Sequence, residues 1–161
     1  MENLWNLEPM TLNTYFSVPV KIKKLNEKAK LPMRGSEAAA GYDVFACIDS
    51  NINVLPHQTV KIDTGLAMAI PEGFWAGVFA RSGLATKEGL RPSNCVGVID
   101  SDYRGSIIVA LHNDSEQTRT IVPNEKIGQL IILPYLTWDI VEVIELDETE
   151  RGSGGFGSTG K

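Results

Sequence analysis

The chain has few of the residues from which metal centres and disulfide frameworks are built: its 161 residues include two cysteines and two histidines. Cys47 and Cys95 lie far apart in apolar runs, so we expect buried free thiols. Such thiols are typical of a reducing intracellular compartment, here the cytoplasm with the nucleus as the alternative. His57 and His112 lack metal-ligand spacing and a surrounding set of Cys or carboxylate residues, so we interpret both as structural.

A basic excess and long apolar runs are also missing. The net charge of −5 argues against a nucleic-acid-binding protein, so a phosphate ligand would have to be met by a local cluster of cations. No run approaches the length of a membrane span. Glu2 and Glu8 lie where a signal peptide would have a basic start and an apolar run, so we expect no leader. A hydrophobic content of 43% and a charged content of 22% indicate one ordinary soluble domain.

What the chain does have is many short apolar runs, separated by turn residues at intervals of about eight to twelve positions. The predicted strands are residues 18–23, 42–47, 52–55, 59–64, 66–70, 74–79, 95–99, 107–111, 119–122, 127–133 and 140–144. Only residues 84–88 look helical. This pattern predicts an all-β protein, a jelly-roll-like β-sandwich or barrel of many short strands with a flexible C-terminal arm.

We predict three segments along the chain. Residues 1–17 show no clear period and form an N-terminal arm of unknown role, and residues 18–144 form the β-barrel domain. Residues 145–161 are an acidic connector and a glycine-rich tail that cannot bury enough surface to fold alone. Glycine-rich tails of this kind are usually disordered termini. Arg151 and Phe156, however, offer a guanidinium to a phosphate and a ring to a base, which favours a lid.

The most unusual stretch is residues 94–105, with the sequence NCVGVIDSDYRG. Its apolar run leads into Asp100, Asp102, Tyr103 and Arg104 before a second apolar run, a pattern that predicts a β-hairpin with a polar tip. A hairpin made only for structure needs no more than Asn-Gly or Asp-Gly at its tip. The alternative is a solvated acidic turn.

Four other blocks accompany this stretch: AAGYDV at 39–44, ARSGLA at 80–85, EKIGQL at 125–130 and RGSGGFGSTG at 151–160. In their order and separations the five blocks resemble the five motifs of the homotrimeric dUTP diphosphatases (dUTPases), over roughly residues 18–160. Any one block is common, whereas the set is specific.

The resemblance implies a jelly-roll fold and Mg²⁺-dependent hydrolysis of dUTP to dUMP and pyrophosphate. This reaction keeps uracil out of DNA and supplies dUMP for thymidylate synthesis. The resemblance also implies a homotrimer with shared sites. The hairpin would come from one subunit, the phosphate-binding residues from a second and the tail from a third.

Phosphates favour cations, backbone N–H groups and hydroxyls. Arg81, Ser82 and Gly83 offer all three within one turn, and Gln129 supplies an amide. The resemblance implies that these residues grip the phosphates, and that Asp43 helps to hold Mg²⁺, mainly through water. Mg²⁺ indeed favours water and phosphate oxygens over protein cages. The alternatives are a surface ion pair for Arg81 and a solvated side chain for Gln129.

Base recognition is assigned to the hairpin, whose backbone groups can pair with the uracil edge while Asn94 adds a side-chain amide. Cytosine reverses two of the three hydrogen-bonding groups on that edge, so it would leave buried polar groups of the hairpin unpaired. Gly97 would let the backbone approach C5 closely and exclude the thymine methyl. By resemblance, Tyr103 packs under the deoxyribose, where a ribose 2′-hydroxyl would not fit; the alternative is an ordinary cross-strand aromatic.

Asp100 is the predicted catalytic base. Hydrolysis needs a water aligned behind the α-phosphorus and a group that accepts its proton, and an ionised carboxylate can provide both functions. Asp102 and Arg104 are interpreted as fixing the turn or forming an ion pair. A dCTP deaminase of related fold is disfavoured because Asp100, Tyr103 and the tail match the uracil-hydrolysing branch. A non-catalytic nucleotide-sensing or protein-binding member is disfavoured because Asp100 and Arg151 are both present.

The tail supplies the last of the predicted binding residues, and two positions in the blocks differ from the residues common in the family. The tail residues predicted to bind the substrate are Arg151, Phe156, Gly157, Ser158 and Thr159. Ala80 replaces a common Pro, a change expected to be neutral. Lys126 replaces a common Arg, which keeps the charge but loses the bidentate fork, so that a phosphate or tail contact there is in question.

Overall fold

A computed structural model of the chain describes residues 19–155. Within this range the chain forms twelve strands and one five-residue π-helical turn, Leu84–Glu88. The strands are β1 Lys21–Lys24, β2 Met33–Arg34, β3 Tyr42–Phe45, β4 Ile52–Val54, β5 Thr59–Asp63, β6 Leu66–Ala69, β7 Phe74–Phe79, β8 Leu90–Pro92, β9 Gly97–Ile99, β10 Ile108–Asn113, β11 Arg119–Ile121 and β12 Lys126–Pro134. The predicted all-β class is confirmed. In the part of the chain that the structure describes, no helix is long and apolar enough to cross a membrane.

The strands form a five-stranded sheet in the order β2-β3-β12-β7-β9 and a three-stranded sheet in the order β5-β10-β8, with the pairs β1-β6 and β11-β4 beside them. All of these pairings are antiparallel. The long strand β12 lies between β3 and β7, so that Gln129 is opposite Asp43 on one side and Phe79 on the other. This register brings three of the five sequence blocks to one place.

Between the sheets lies a core of aliphatic side chains. Its fully buried members include Val44, Val54, Ile62, Leu66, Leu90, Val109, Leu111, Ile121 and Ile127. Each such side chain stabilises the fold by about 1.5–3 kcal/mol relative to exposure. Period-2 alternation of burial in β10 points Val109 and Leu111 inward, whereas this strand was predicted from its short apolar run.

The predicted hairpin at residues 95–111 is wrong. β9 pairs with β7 at the edge of the five-stranded sheet, whereas β10 pairs with β5 and β8 in the other sheet. The residues between β9 and β10 therefore cross from one sheet to the other. Short apolar runs indicate that two segments are extended, but they do not say which strand each will pair with.

Three other expectations need correction. The run 140–144 forms no strand in the described chain, where Ile140 is 98% exposed. The two short strands β2 and β8 went unpredicted because two or three residues carry no readable period. Cys95, expected to be buried, is exposed in a turn at φ +62°, while Cys47 is half-buried; both thiols are free. The boundaries predicted at 17/18 and 144/145 stay predictions.

Candidate active site

A charged cluster forms where β3, β7 and β12 meet, with Asp43 at its centre. The Arg81 Nε donates to Asp43 Oδ1 at 3.1 Å, and the Lys126 Nζ lies 2.7 Å from Asp43 Oδ2. Arg81 Nη1 also donates to the Lys126 carbonyl at 3.3 Å. The Asp43 side chain is 15% exposed, whereas the Arg81 and Lys126 side chains are 34% and 43% exposed, so the carboxylate is sheltered while both cations reach solvent. One carboxylate between two cations leaves net positive charge, which suits an anionic ligand.

A bulge in β12 explains why Lys126 joins this cluster. Gln129 pairs with Asp43 and Gly128 with Val44, but the register then shifts, and Lys126 pairs with Phe45. With strict alternation Lys126 would face away from Gln129; the extra residue turns it to the same face. The contact of Lys126 with Asp43 was not predicted from the sequence, and its place in the fourth block was the available signal.

Gln129 fixes the chain that carries Arg81. Its Nε2 donates to the Ala80 carbonyl at 2.9 Å, directly after β7. A Cβ on Gly41 would lie 2.7 Å from Gln129 Oε1, so the glycine in the first block makes room for this amide. Gln129 is thus held by protein contacts and is not a solvated side chain. Ser82 and Gly83 follow Arg81 and are exposed, and the Ala85 N–H donates to the Arg81 carbonyl at 3.0 Å.

The tip that carries Asp100 is a compact turn after β9. The Tyr103 N–H donates to the Asp100 carbonyl at 3.2 Å. Arg104 Nη1 donates to the carbonyls of Ser101 and Tyr103 at 2.6 and 2.9 Å, which confirms its predicted turn-fixing role. Asp100 itself is exposed. It opens onto a cleft of about 770 Å³ lined by Ile70, Glu72, Trp75, Val98, Asp100, Ser101, Asp102, Arg104 and Tyr135.

Asn94 and Gly97, the two residues predicted to face the base, lie close to each other. Gly97 pairs with Val78, and a Cβ on Gly97 would lie 3.3 Å from Val78 Cβ and 3.6 Å from Asn94 Nδ2. The glycine therefore allows close approach of β9 to β7 beside the Asn94 amide. The Val96 N–H donates to the Asn94 carbonyl at 2.6 Å, which tightens the turn.

Tyr103 lies in the tip and not on a strand, so it is not a cross-strand aromatic. Its ring folds back over Gly105, where a Cβ would lie 2.6 Å from Tyr103 Cζ. Its O–H donates to the Ser106 carbonyl at 3.1 Å, and the residue is 45% exposed. The tyrosine is thus partly exposed while its hydroxyl is anchored.

The two halves of the predicted site lie at opposite ends of β7 within one chain. Ile99 pairs with Ala76, which places Asp100 beside the start of that strand. Arg81 follows the other end, beyond Phe79. Five residues of extended chain separate positions 76 and 81, roughly 16 Å at strand rise. The base candidate and the cationic cluster therefore do not face each other in one subunit.

Of the predicted tail residues, Arg151 is described and exposed, and its Nε donates to the Gly154 carbonyl at 2.8 Å. Phe156, Gly157, Ser158 and Thr159 lie outside the described residues, as do residues 1–17.

The histidines lie away from both halves of the site. His57 Nε2 is 3.1 Å from Glu116 Oε1, and His112 Nδ1 is 2.9 Å from the Thr59 hydroxyl. These contacts agree with the structural roles expected for both.

Comparison with known proteins bears on this arrangement directly. The family model described as dUTPase matches residues 27–160. The chain belongs to the dUTPase family. A deoxyuridine 5′-triphosphate nucleotidohydrolase from Desulfitobacterium hafniense is 46% identical over 147 residues, which are 89% of this chain and 97% of that protein. The enzyme of the same name from Arabidopsis thaliana is 47% identical over 140 residues, which are 87% of this chain and 82% of that protein.

Solved dUTPase structures share the fold. A point mutant of the Staphylococcus bacteriophage 80alpha dUTPase with dUpNHpp superposes with a TM-score of 0.80 at 28% identity, covering 89% of this chain and 99% of that chain. A mutant dUTPase from phage phi11 of S. aureus, described with a structural Mg(II) ion, gives 0.73 at 25% identity, covering 81% and 100%. The predicted jelly-roll class is confirmed by these likenesses.

Proposed function

We propose that this dUTPase-family chain is a Mg²⁺-dependent dUTP diphosphatase that releases dUMP and pyrophosphate and acts as a homotrimer with shared sites. Its role would be to keep uracil out of DNA and to supply dUMP for thymidylate synthesis. The observation that carries the proposal is the convergence of three motif-bearing segments on one cationic cluster. Arg81 forms an ion pair with Asp43, and Gln129 lies opposite Asp43 on the neighbouring strand and holds the Ala80 carbonyl next to Arg81.

In the proposed reaction Asp100 orients a water and accepts its proton as the water oxygen bonds to the α-phosphorus. The bond from that phosphorus to the bridging oxygen breaks, and pyrophosphate leaves with the electron pair. A general base of this kind contributes about 10²–10⁴-fold. Arg81, Lys126 and the Ser82 hydroxyl then stabilise the charge on the phosphates.

The donor set around Asp43 fits a metal that arrives on the triphosphate better than a metal held by the protein. Both Asp43 oxygens are engaged by cations, and residues 19–155 contain no group of three side chains that could hold a metal ion. Asp43 would therefore meet Mg²⁺ through water, as such ions keep several waters. When bound, Mg²⁺ neutralises phosphate charge.

Association of subunits is supported by an exposed apolar arm. After β12 the chain runs through exposed large side chains, namely Leu136, Trp138, Ile140, Val141, Val143, Ile144 and Leu146. A contiguous apolar stretch of this length is unusual on a monomer and marks an interaction surface. Acidic residues alternate with it, among them Asp139, Glu142 and Glu145.

The same chain carries a surface that complements this arm. A cleft of about 680 Å³ is lined mainly by apolar residues, including Val20, Ile22, Leu31, Met68, Phe74, Leu130 and Ile132. Beside it lies β1, which in the described residues pairs with β6 alone and carries Lys21, Lys23 and Lys24. An acidic apolar arm laid on a basic strand edge of a neighbouring subunit satisfies both surfaces. It would also deliver Arg151 and the tail to a site on another subunit.

The deciding experiment is pyrophosphate release from dUTP, dCTP, dTTP and UTP in the presence of Mg²⁺. We expect dUTP to be hydrolysed to dUMP, with dCTP at least about 10⁴-fold poorer in kcat/KM. Asp102→Asn, in the same turn as Asp100, is the matched control for Asp100→Asn and should stay near parent activity. Release of ammonia from dCTP, or no hydrolysis of dUTP, would contradict the proposal.

A further inference from the structure

Tyr103 is anchored through a chain of contacts that begins on a different sheet. Its hydroxyl donates to the Ser106 carbonyl at 3.1 Å. The Ser106 hydroxyl in turn donates to Asp63 Oδ1, at the end of β5. The same Asp63 oxygen accepts the Gly65 N–H at 2.7 Å. The ring is thus linked to the turn between β5 and β6, although β9, which leads into the tip, belongs to the five-stranded sheet.

The backbone next to Ser106 is fixed to the same turn. The Ile107 N–H donates to the Leu66 carbonyl at 2.8 Å. The Ile107 carbonyl accepts the Thr64 N–H at 3.1 Å and the Thr64 hydroxyl at 2.8 Å, and Thr64 is fully buried. Residues 63–66 therefore form a rigid base against which Ser106 and its carbonyl are held.

We propose that Asp63 and Ser106 are positioning residues that fix the Tyr103 ring and so set how strongly the site rejects ribonucleotides. The inference rests on the proposed function, in which Tyr103 packs against the substrate sugar. Excluding a single 2′-hydroxyl requires the ring to stay within a fraction of an ångström of one place. A ring that is 45% exposed on a turn owes that precision to its anchor.

A purely structural role makes a different prediction. If Asp63 only stabilised its own turn by accepting the Gly65 N–H, its loss would lower the amount of folded enzyme and affect all substrates alike. The ratio of kcat/KM for dUTP to kcat/KM for UTP cancels the active fraction, so it reports on the position of the ring and not on folding.

The test measures this ratio on the full-length protein with Mg²⁺ for two pairs of variants. Asp63→Ala and Ser106→Ala each remove the hydrogen bond between the Ser106 hydroxyl and Asp63. Each should lower the ratio of kcat/KM for dUTP to kcat/KM for UTP about fivefold, which corresponds to the free energy of about one hydrogen bond. Asp63→Asn keeps an oxygen for both donors, and Ser106→Thr keeps the hydroxyl. Both should stay within about twofold of the parent ratio, because each retains the bonded atoms.

Three further variants sharpen the result. Asp63→Ala combined with Ser106→Ala should narrow the ratio no more than either change alone, because both break one link. Tyr103→Phe removes the hydroxyl that donates to the Ser106 carbonyl and should lower the dUTP-to-UTP ratio by a similar factor. This variant keeps the test decisive if an alanine variant does not fold. Lys61→Ala, exposed on the same strand β5, is the control and should leave the ratio unchanged.

Two outcomes separate the proposals. A parent that hydrolyses dUTP and rejects UTP, with an unchanged ratio in the Asp63→Ala, Ser106→Ala and Tyr103→Phe variants, overturns this inference alone. A parent that hydrolyses neither nucleotide overturns the proposed function.

Discussion

Replacing Asn113 by alanine should destabilise the fold far more than replacing an exposed asparagine, because its side chain is fully buried and uses all of its polar atoms. Nδ2 donates to the carbonyls of Val54 and Gln117 at 2.9 and 2.8 Å. Oδ1 accepts the Ser115 N–H at 2.9 Å and the Ser115 hydroxyl at 2.7 Å.

Each of these hydrogen bonds contributes about 0.5–1.5 kcal/mol net. They are partly redundant, because the Ser115 hydroxyl also donates to the Gln117 carbonyl at 3.1 Å. We therefore expect Asn113→Ala to cost about 3 kcal/mol in the free energy of unfolding, less than the simple sum at its upper limit.

The assay is urea denaturation at one fixed protein concentration, since subunit association would make the midpoint depend on concentration. With an m-value of about 2 kcal/mol/M, the midpoint should fall by about 1.5 M. Asn53→Ala is the matched control: this exposed asparagine accepts one hydrogen bond, from the Thr120 hydroxyl at 2.8 Å, and its loss should cost about 0.5 kcal/mol or less. Equal midpoint losses in the two variants would refute the assignment of this stability to the buried amide.

The other predictions concern the site, the assembly and pH. Asp100→Asn should bind dUTP almost as well as the parent but turn it over at least about 10²-fold more slowly, measured by single-turnover kinetics and calorimetry; near-parent turnover would rule out Asp100 as the base. Removing residues 151–161 should leave a folded trimer with kcat reduced at least about tenfold, while Phe156→Ala costs less, and an unchanged kcat would show that the tail does not act as a lid. Light scattering at micromolar concentration should give the trimer mass, and a monomer mass would contradict the shared-site proposal. The bidentate contact with Arg91 lowers the pKa of Asp114, so its stabilisation is present above the ordinary carboxyl pKa and is lost as pH falls through the lowered value. The stability difference between parent and Asp114→Asn should therefore be small, because the pair is exposed, and should vanish in acid; a difference that grows in acid would contradict it.

The sequence predicted well what depends on local pattern. Alternating or β-branched runs placed β5 and β7 within a residue of their observed ends, because side-chain period and turn residues are local properties. The resemblance also predicted that Asp43, Arg81 and Gln129 belong to one site. The sheet order β3-β12-β7 places Gln129 opposite Asp43 and lets Arg81 pair with that carboxylate, while their shared binding role stays a prediction.

The predictions that failed depend on which strands and side chains meet in the folded chain. The 95–111 hairpin was wrong because β9 and β10 join different sheets, and strand choice is a long-range outcome. The ion pair of Lys126 with Asp43 was not predicted because it needs a bulge, which shifts the face of a side chain without altering the local composition. The anchoring of Tyr103 by Asp63 joins residues forty positions apart in the chain, beyond the reach of any motif.

The register of β7 is what ties the proposed chemistry to association. β7 is held along its length by β12, from Phe79 opposite Gln129 to Phe74 opposite Pro134. Asp100 and Arg81 lie at its two ends, so one chain could bring them together only by breaking that pairing. In the proposed trimer a single dUTP bridges the tip of one subunit and the cluster of another, and the tail of a third closes over it. Since such a ligand binds the assembled state and not the separated chains, dUTP would strengthen the contacts between subunits by the same free energy with which the assembly strengthens dUTP binding. A substitution in the apolar arm, far from any phosphate, would then lower the activity of all three sites together.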